Sequence, residues 1–178
     1  MELVLVERRF DSPIRFEDIV ALEMAGASCH QIRSVRFRKS FFSRDHRRML
    51  CLFEAPDAES VRDAESQARV PFNSAWTCTN LQGSSDANPG NPDSEFVVVE
   101  RLFPETVTSD FVSNALRKSG WCLDLHGAEY VESFLGNDGR RMVCLFRAPD
   151  AEAVRRANQQ GGVPYTDVWT ASVHLGGE

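Results

Sequence analysis

The hydrophobic and polar positions of the first half predict a strand, a helix and a second strand. Leu3–Phe10 is short, rich in Val and Leu and apolar on both faces, which is typical of a central strand. Apolar residues, Met24 among them, then recur at helical spacing from Phe16 toward Cys29, so we expect Cys29 on the buried face of this helix; the alternative is that Gly26 ends the helix earlier. Val35–Phe42 alternates apolar with charged residues and predicts a strand with one wetter face.

The remaining elements begin in a stretch that occurs twice. Arg48–Glu59 recurs almost unchanged as Arg141–Glu152, and the flanking residues also align without a gap. The stretch predicts the returning strand of a hairpin, which Pro56 ends, and a helix that Asp57 caps. A last strand is predicted over Ala75–Leu81. Each copy therefore has the order β-α-β-β-α-β.

That order predicts an α+β fold made of two ferredoxin-like repeats. We place repeat 1 at residues 1–82, a flexible linker at 83–94 and repeat 2 at 95–178. A lone core of about 80 residues is marginal, so we expect the two sheets to pair face to face. The prediction is an intramolecular dimeric α/β barrel, a pseudo-dimer that is a monomer in solution.

Composition excludes some classes of partner. The net charge is −6, and the basic residues are mixed with acidic ones, which disfavours nucleic acid. No segment approaches the length of a membrane span, and the apolar N-terminus is too short for a signal sequence, so we expect a cytoplasmic protein without a membrane partner. Five cysteines without CxxC spacing disfavour a disulfide framework or a zinc ribbon and suggest buried apolar positions.

Several short motifs resemble those of a known family. They are Val6-Glu7-Arg8, Ser28-Cys29, Ser40-Phe41, Cys51, Ala55-Pro56, Val61-Arg62 and Val70-Pro71. Together they resemble an uncharacterised family of small proteins that includes a nickel-binding member and belongs to the dimeric α+β-barrel superfamily. The resemblance implies ferredoxin-like protomers and a small molecule or a metal ion, such as nickel, as ligand. Many relatives carry two histidines where this chain has Lys39 and Ala64, and Glu132 and Ala157, so that set is missing here.

The histidines of this chain offer a different, asymmetric metal site. Cys122 and His126 are four residues apart, so a helix that reaches both would place them on one face. Cys29 and His30 form a second candidate pair. Two ligands in each pair are too few to specify a metal, and the alternative is that neither pair binds one.

Two glutamates are candidate catalytic groups. Glu7 and Glu100 each end an apolar strand beside an arginine. A buried carboxylate has a raised pKa unless it is paired, and such a group can act as a general acid or base. The alternative is a structural ion pair, for example of Glu7 with Arg48 or Arg62.

A few further side chains could bind a ligand. Arg48, Arg141, Arg62 and Arg155 could hold an anion at the edge of the sheet, although solvated surface positions are the commoner explanation. Trp121 occurs only in the second copy and could stack on a ligand, whereas aromatic residues in such folds more often fill the core.

Three functions remain open at this point. The leading one is binding of a small ligand, including a metal ion such as nickel, between sheet and helices of one or both repeats. The alternative is a cofactor-free isomerase, cyclase or oxygenase of the barrel superfamily that uses Glu7 or Glu100 as acid or base. A third is an interaction module. Substrate and pathway cannot be read from these residues.

Overall fold

The computed structural model describes residues 1–82 and 95–176 and divides into two compact units. Unit 1 contains Met1–Cys78 and the chain from Ser172 onward, and unit 2 contains Thr79–Ala171. The predicted linker at 83–94 lies outside the described residues, so the predicted domain boundaries stay a prediction.

The elements follow the predicted order in both halves. In the first half they are β1 (Glu2–Arg9), α1 (Phe16–Ala25), α2 (Ala27–Ile32), β2 (Arg36–Ser43), β3 (Arg48–Ala55), α3 (Ala58–Ala68) and β4 (Ser74–Gln82). In the second half they are β5 (Glu95–Leu102), α4 (Ser109–Leu125), β6 (Glu129–Gly136), β7 (Arg141–Ala148), α5 (Ala151–Gln160) and β8 (Asp167–Leu175). The α+β class and the two ferredoxin-like repeats are confirmed.

In unit 1, the apolar strand β1 lies between β3 and β4, and both pairings are antiparallel. Its central residues Val4, Leu5 and Val6 are fully buried, as the two-sided apolar pattern predicts. The side chain of Asp57 accepts a hydrogen bond of 2.7 Å from the Ser60 backbone nitrogen, so the predicted cap of α3 is confirmed. Unit 2 repeats this arrangement with β5 between β7 and β8.

The ends of two strands complete the sheets. In unit 1, the last part of β8 lies along β2, where the Gly176 nitrogen donates to the Arg38 carbonyl at 2.8 Å. In unit 2, the last part of β4 lies along β6, where the Tyr130 hydroxyl donates to the Leu81 carbonyl at 2.8 Å. The end of β8 thus belongs to unit 1, and the end of β4 belongs to unit 2.

The first predicted helix is two helices in unit 1. It breaks at Gly26, whose backbone approaches α3 so closely that an added Cβ would lie 2.2 Å from Cβ of Ala68. The prediction that Cys29 is buried on this helix is wrong, because Cys29 lies after the break, on α2, which buries none of its residues. Met24, expected in the same stripe, is 72% exposed.

All five cysteines are free thiols, and Cys51, Cys78, Cys122 and Cys144 are buried, as expected for small apolar residues. Within residues 1–82 and 95–176, none of the helices has the length and apolar character needed to cross a membrane.

Candidate functional site

A buried arginine is at the centre of a polar cluster in unit 1. Arg8 lies on β1 and is 1% exposed. One nitrogen, Nη2, donates to Glu65 Oε2 of α3 at 2.9 Å and to Glu23 Oε1 of α1 at 2.6 Å. The other, Nη1, donates to the Pro71 carbonyl at 2.6 Å. One strand and two helices therefore meet at this guanidinium, between the sheet and its helices.

His30 of α2 closes the other side of the cluster. Its Nε2 atom lies 3.4 Å from Glu65 Oε1 and 3.5 Å from Glu23 Oε2. These separations are too long for good hydrogen bonds, and both His30 Nε2 and Glu65 Oε1 are buried without a hydrogen-bond partner. Each carboxylate thus uses one oxygen for Arg8 and presents the other toward His30.

The charges of the cluster do not balance when His30 is neutral, because one arginine then faces two carboxylates. The pKa values respond accordingly. Burial and the neighbouring charge of Glu65 raise the pKa of Glu23 to about 7. Contact with Glu65, and the charge of Glu23, raise the pKa of His30. The cluster therefore favours one bound proton near neutral pH.

The three side chains that surround this gap can serve as metal ligands. His30, Glu23 and Glu65 each offer one ligand atom, and these atoms all lie within 4.8 Å of one another. Atoms that share one ion at about 2.1 Å lie about 3.0–3.4 Å apart, which is close to the spacing of His30 from both carboxylates. The spacing of these atoms and the mixed nitrogen and oxygen donor set therefore fit a transition metal.

Unit 2 keeps the arginine and loses the rest of the cluster. Arg101, the counterpart of Arg8, is 4% exposed and donates to the Pro164 carbonyl at 2.6 Å. Asn158 occupies the position of Glu65 and accepts from Arg101 Nη2 at 2.6 Å. The counterparts of Glu23 and His30 are leucines, Leu116 and Leu123. The same location in the second repeat is therefore less acidic and more apolar.

A cavity of about 690 Å³ opens at this location in unit 2. It lies between α4, α5 and the sheet, and its apolar walls include Phe103, Val112, Leu116, Leu123 and Phe146. Arg101 is part of the wall, and its Nε atom is buried without a hydrogen-bond partner. This is the size range of small-molecule pockets in proteins.

The predicted catalytic carboxylates are held by tryptophans of the adjacent strands. Glu7 accepts from Trp76 Nε1 and from Ser74 Oγ, both at 2.9 Å. Glu100 accepts from Trp169 Nε1 at 2.7 Å. The suggested partner Arg62 instead donates to Glu59 and to the Ala75 carbonyl. Glu7 and Glu100 thus link two strands, and a catalytic role for them stays a prediction.

The predicted ligand-binding arginines belong neither to the acidic cluster nor to the lining of the cavity. Arg155 donates to the Val168 carbonyl and pairs with Glu152. Arg62 makes the equivalent contacts in unit 1, with the Ala75 carbonyl and Glu59. Arg48 and Arg141 begin β3 and β7, and none of these four arginines lines the cavity of unit 2. Trp121, also outside the cavity lining, is 59% exposed on α4.

The predicted metal ligands fall into three places. Cys122 is buried inside α4, whereas His126 caps that helix, and its Nε2 lies 2.8 Å from Gln160 Oε1. Cys29 lies on α2 beside His30 but is not part of the acidic cluster. Of the four residues, His30 is the one that the structure brings together with two carboxylates.

Reasoning from the sequence missed Arg8, Glu23, Glu65 and Arg101. A signal was present, because the arginine is common to both repeats while the two acids are replaced by Leu116 and Asn158. The positive charge of a buried arginine has to be neutralised, so a change in its acidic partners indicates a change in the ligand that the site can bind.

Comparison with known proteins identifies the family. A model of the nickel responsive protein SCO4226-like family matches residues 5–77 and again residues 97–170. The chain has no match among curated protein sequences.

Solved structures give the fold. A putative chlorite dismutase, TA0507, is 12% identical with a TM-score of 0.51, over 98% of this chain and 96% of that one. A chlorite dismutase mutant from Candidatus Nitrospira defluvii is 11% identical with a TM-score of 0.50, over 96% and 91% of the two chains. A heme-binding protein from Thermus thermophilus is 10% identical with a TM-score of 0.50, over 97% and 90%. At these identities the likeness carries the fold alone, and it confirms the predicted fold class. Because the family model matches both repeats, the chain belongs to the nickel responsive SCO4226-like family.

Proposed function

We propose that this protein binds one divalent transition metal ion, such as nickel, in unit 1 through Glu23, His30 and Glu65. The observation that carries the proposal is the pair of buried atoms His30 Nε2 and Glu65 Oε1, which lie 3.4 Å apart, within ion-pair distance but without a well-formed hydrogen bond. Buried polar atoms normally have hydrogen-bond partners, and a metal ion between these two atoms would supply an interaction to each.

The arrangement around these atoms supports the proposal. Arg8 bonds the outer oxygens of both carboxylates and leaves the inner oxygens facing His30. Outer hydrogen bonds of this kind orient metal ligands and are a common feature of metal sites. An imidazole with two carboxylates suits nickel, zinc, copper or iron better than calcium.

Charge supplies a second reason. The cluster favours a bound proton near neutral pH, and a cation that displaces this proton would neutralise the excess carboxylate charge. Binding should therefore release protons and strengthen as the pH rises through the raised pKa of His30. The description of the family as nickel responsive makes nickel the first ion to test.

The test is isothermal titration of metal-free protein with nickel chloride at pH 7.5. We expect one ion per chain and release of up to one proton, measured by repeating the titration in buffers of different ionisation enthalpy. His30→Leu, which places the residue of the second repeat at this position, should weaken binding at least about 100-fold, because a lost ligand should cost more than a lost outer partner.

A matched control separates this site from the other histidine candidate. His126→Ala removes the histidine at the end of α4 and should leave the affinity unchanged. Binding that survives His30→Leu but disappears in His126→Ala would assign the ion to the Cys122–His126 pair and contradict the proposal. Absence of stoichiometric binding of nickel, zinc or copper would also contradict it.

A further inference from the structure

Arg101 is a buried cation whose charge no acid balances within residues 1–82 and 95–176. Its counterpart Arg8 is paired with two carboxylates. Arg101 instead contacts a backbone carbonyl and the neutral amide of Asn158. Arginine does not lose its proton in proteins, so the charge cannot be removed by titration. A buried unpaired charge is costly, which makes this position a place where an anion should bind.

The cavity of unit 2 lies directly against this cation. Arg101 is among the residues that line it, and its Nε–H is buried without a hydrogen-bond partner, as the Nε–H of Arg8 is in unit 1. The rest of the wall is mostly apolar, with Phe103, Leu116 and Phe146 among its residues. Glu105, the one acid in the lining, is exposed, whereas Arg101 is buried.

The other buried polar groups of the wall are already used. Asn158 accepts from Arg101 and donates to the Val154 carbonyl at 2.7 Å. The Ser119 hydroxyl donates to the Ala115 carbonyl at 2.8 Å. The cavity therefore offers one buried charged donor and much apolar surface, a combination that selects a ligand with one acidic group and an apolar body.

We propose that the cavity of unit 2 binds a small organic carboxylate, with its carboxylate against Arg101 and its hydrocarbon body against Phe103, Leu116 and Phe146. In this arrangement the ligand supplies the negative charge that Glu65 and Glu23 supply in unit 1. The site is separate from the metal site, so either proposal can fail without the other.

The test uses octanoate and 1-octanol, which share a chain length and differ in charge. Each is titrated against protein that carries the fluorescent probe 1-anilinonaphthalene-8-sulfonate. We expect octanoate to displace the probe at a concentration at least about 10-fold lower than 1-octanol, since a charge-assisted bond to a buried arginine exceeds the contribution of a neutral hydroxyl.

Asn158→Glu is the decisive variant because unit 1 already tolerates glutamate at this position, beside Arg8. The new carboxylate should occupy Arg101 and weaken octanoate binding at least about 10-fold while 1-octanol changes less than about 3-fold. Asn114→Glu is the control, since it adds the same charge to an exposed position of α4 outside the cavity lining. Near-ultraviolet circular dichroism checks that both variants are folded.

Three results would overturn the proposal. Equal affinities for octanoate and 1-octanol would mean that Arg101 does not bind the anion. Failure of both compounds to displace the probe would mean that the cavity is not a binding site for this class. An effect of Asn114→Glu as large as that of Asn158→Glu would mean that net charge, and not Arg101, governs the preference.

Discussion

The acidic cluster of unit 1 should make the metal-free protein less stable at alkaline pH, and Glu23→Gln should remove most of this effect. Burial and the charge of Glu65 raise the pKa of Glu23 to about 7 from its usual value of 4.5. A carboxyl group with a raised pKa binds more protons in the folded state than in the unfolded one. Stability is therefore lost as the pH rises from about 4.5 through 7.

The size of the effect follows from the shift. One pKa unit corresponds to about 1.4 kcal/mol, so the shift of Glu23 gives at most about 3 kcal/mol between pH 5 and pH 8. The raised pKa of His30 acts in the same direction, because the stability it contributes below its unfolded pKa is lost as the pH rises through its folded pKa. Glutamine resembles the protonated carboxyl group and keeps an oxygen for Arg8.

The assay is urea unfolding at pH 5 and pH 8 in the presence of a chelator. Glu23→Gln should match the wild type at pH 5 and exceed it by about 2–3 kcal/mol at pH 8. Glu17→Gln, an exposed position on the same helix, should show no such difference between the two pH values. An equal difference between Glu23→Gln and the wild type at both pH values would refute the raised pKa of Glu23.

Two further predictions concern the scaffold. Gly26→Ala should lower the free energy of unfolding by about 1–3 kcal/mol, because the new Cβ would lie 2.2 Å from Cβ of Ala68, and Ala68→Gly in the same chain should restore most of it in urea unfolding. No recovery in the double variant would show that the clash is elsewhere. Asp57→Ala and Asp150→Ala should each cost about 1 kcal/mol in thermal or urea unfolding, because both carboxylates cap a helix through a 2.7 Å bond. A much larger loss for one of them would mean that it does more than cap.

The sequence predicted the elements well because the duplication tests each pattern twice. The two-sided apolar strand, the proline stop and the capping aspartate appear in both copies and are all found in the structure. The sequence left open whether the first helix ends at Gly26, since the counterpart of Gly26 in the continuous helix α4 is Ser119. Its cause is a close approach to Ala68, a contact between residues distant in sequence.

The candidate site was predicted only in part, because hydrophobic periodicity does not reveal a buried ion pair. His30 was identified from its chemistry, but its predicted partner was the adjacent Cys29, and its partners in the structure are Glu23 and Glu65 on other helices. Glu65 lies on the helix face that Val61 and Ala64 bury, where a carboxylate is unexpected. The long-range pairing with Arg8 explains its burial.

The two proposed sites exclude each other within one repeat. Both occupy the space beside the arginine that the two repeats share, and the carboxylates that would hold a metal also neutralise Arg8, so no anion is needed there. Leucines at the positions of Glu23 and His30 open an apolar cavity beside Arg101 but remove two of the metal ligands. A repeat with glutamate at only one of the two acidic positions would neutralise the charge of its arginine. It would lack one of the metal ligands and would offer no unbalanced positive charge to an anion. A single domain of this type could therefore bind a cation or an organic anion beside its arginine, but not both. A duplicated chain can bind a cation in one repeat and an organic anion in the other.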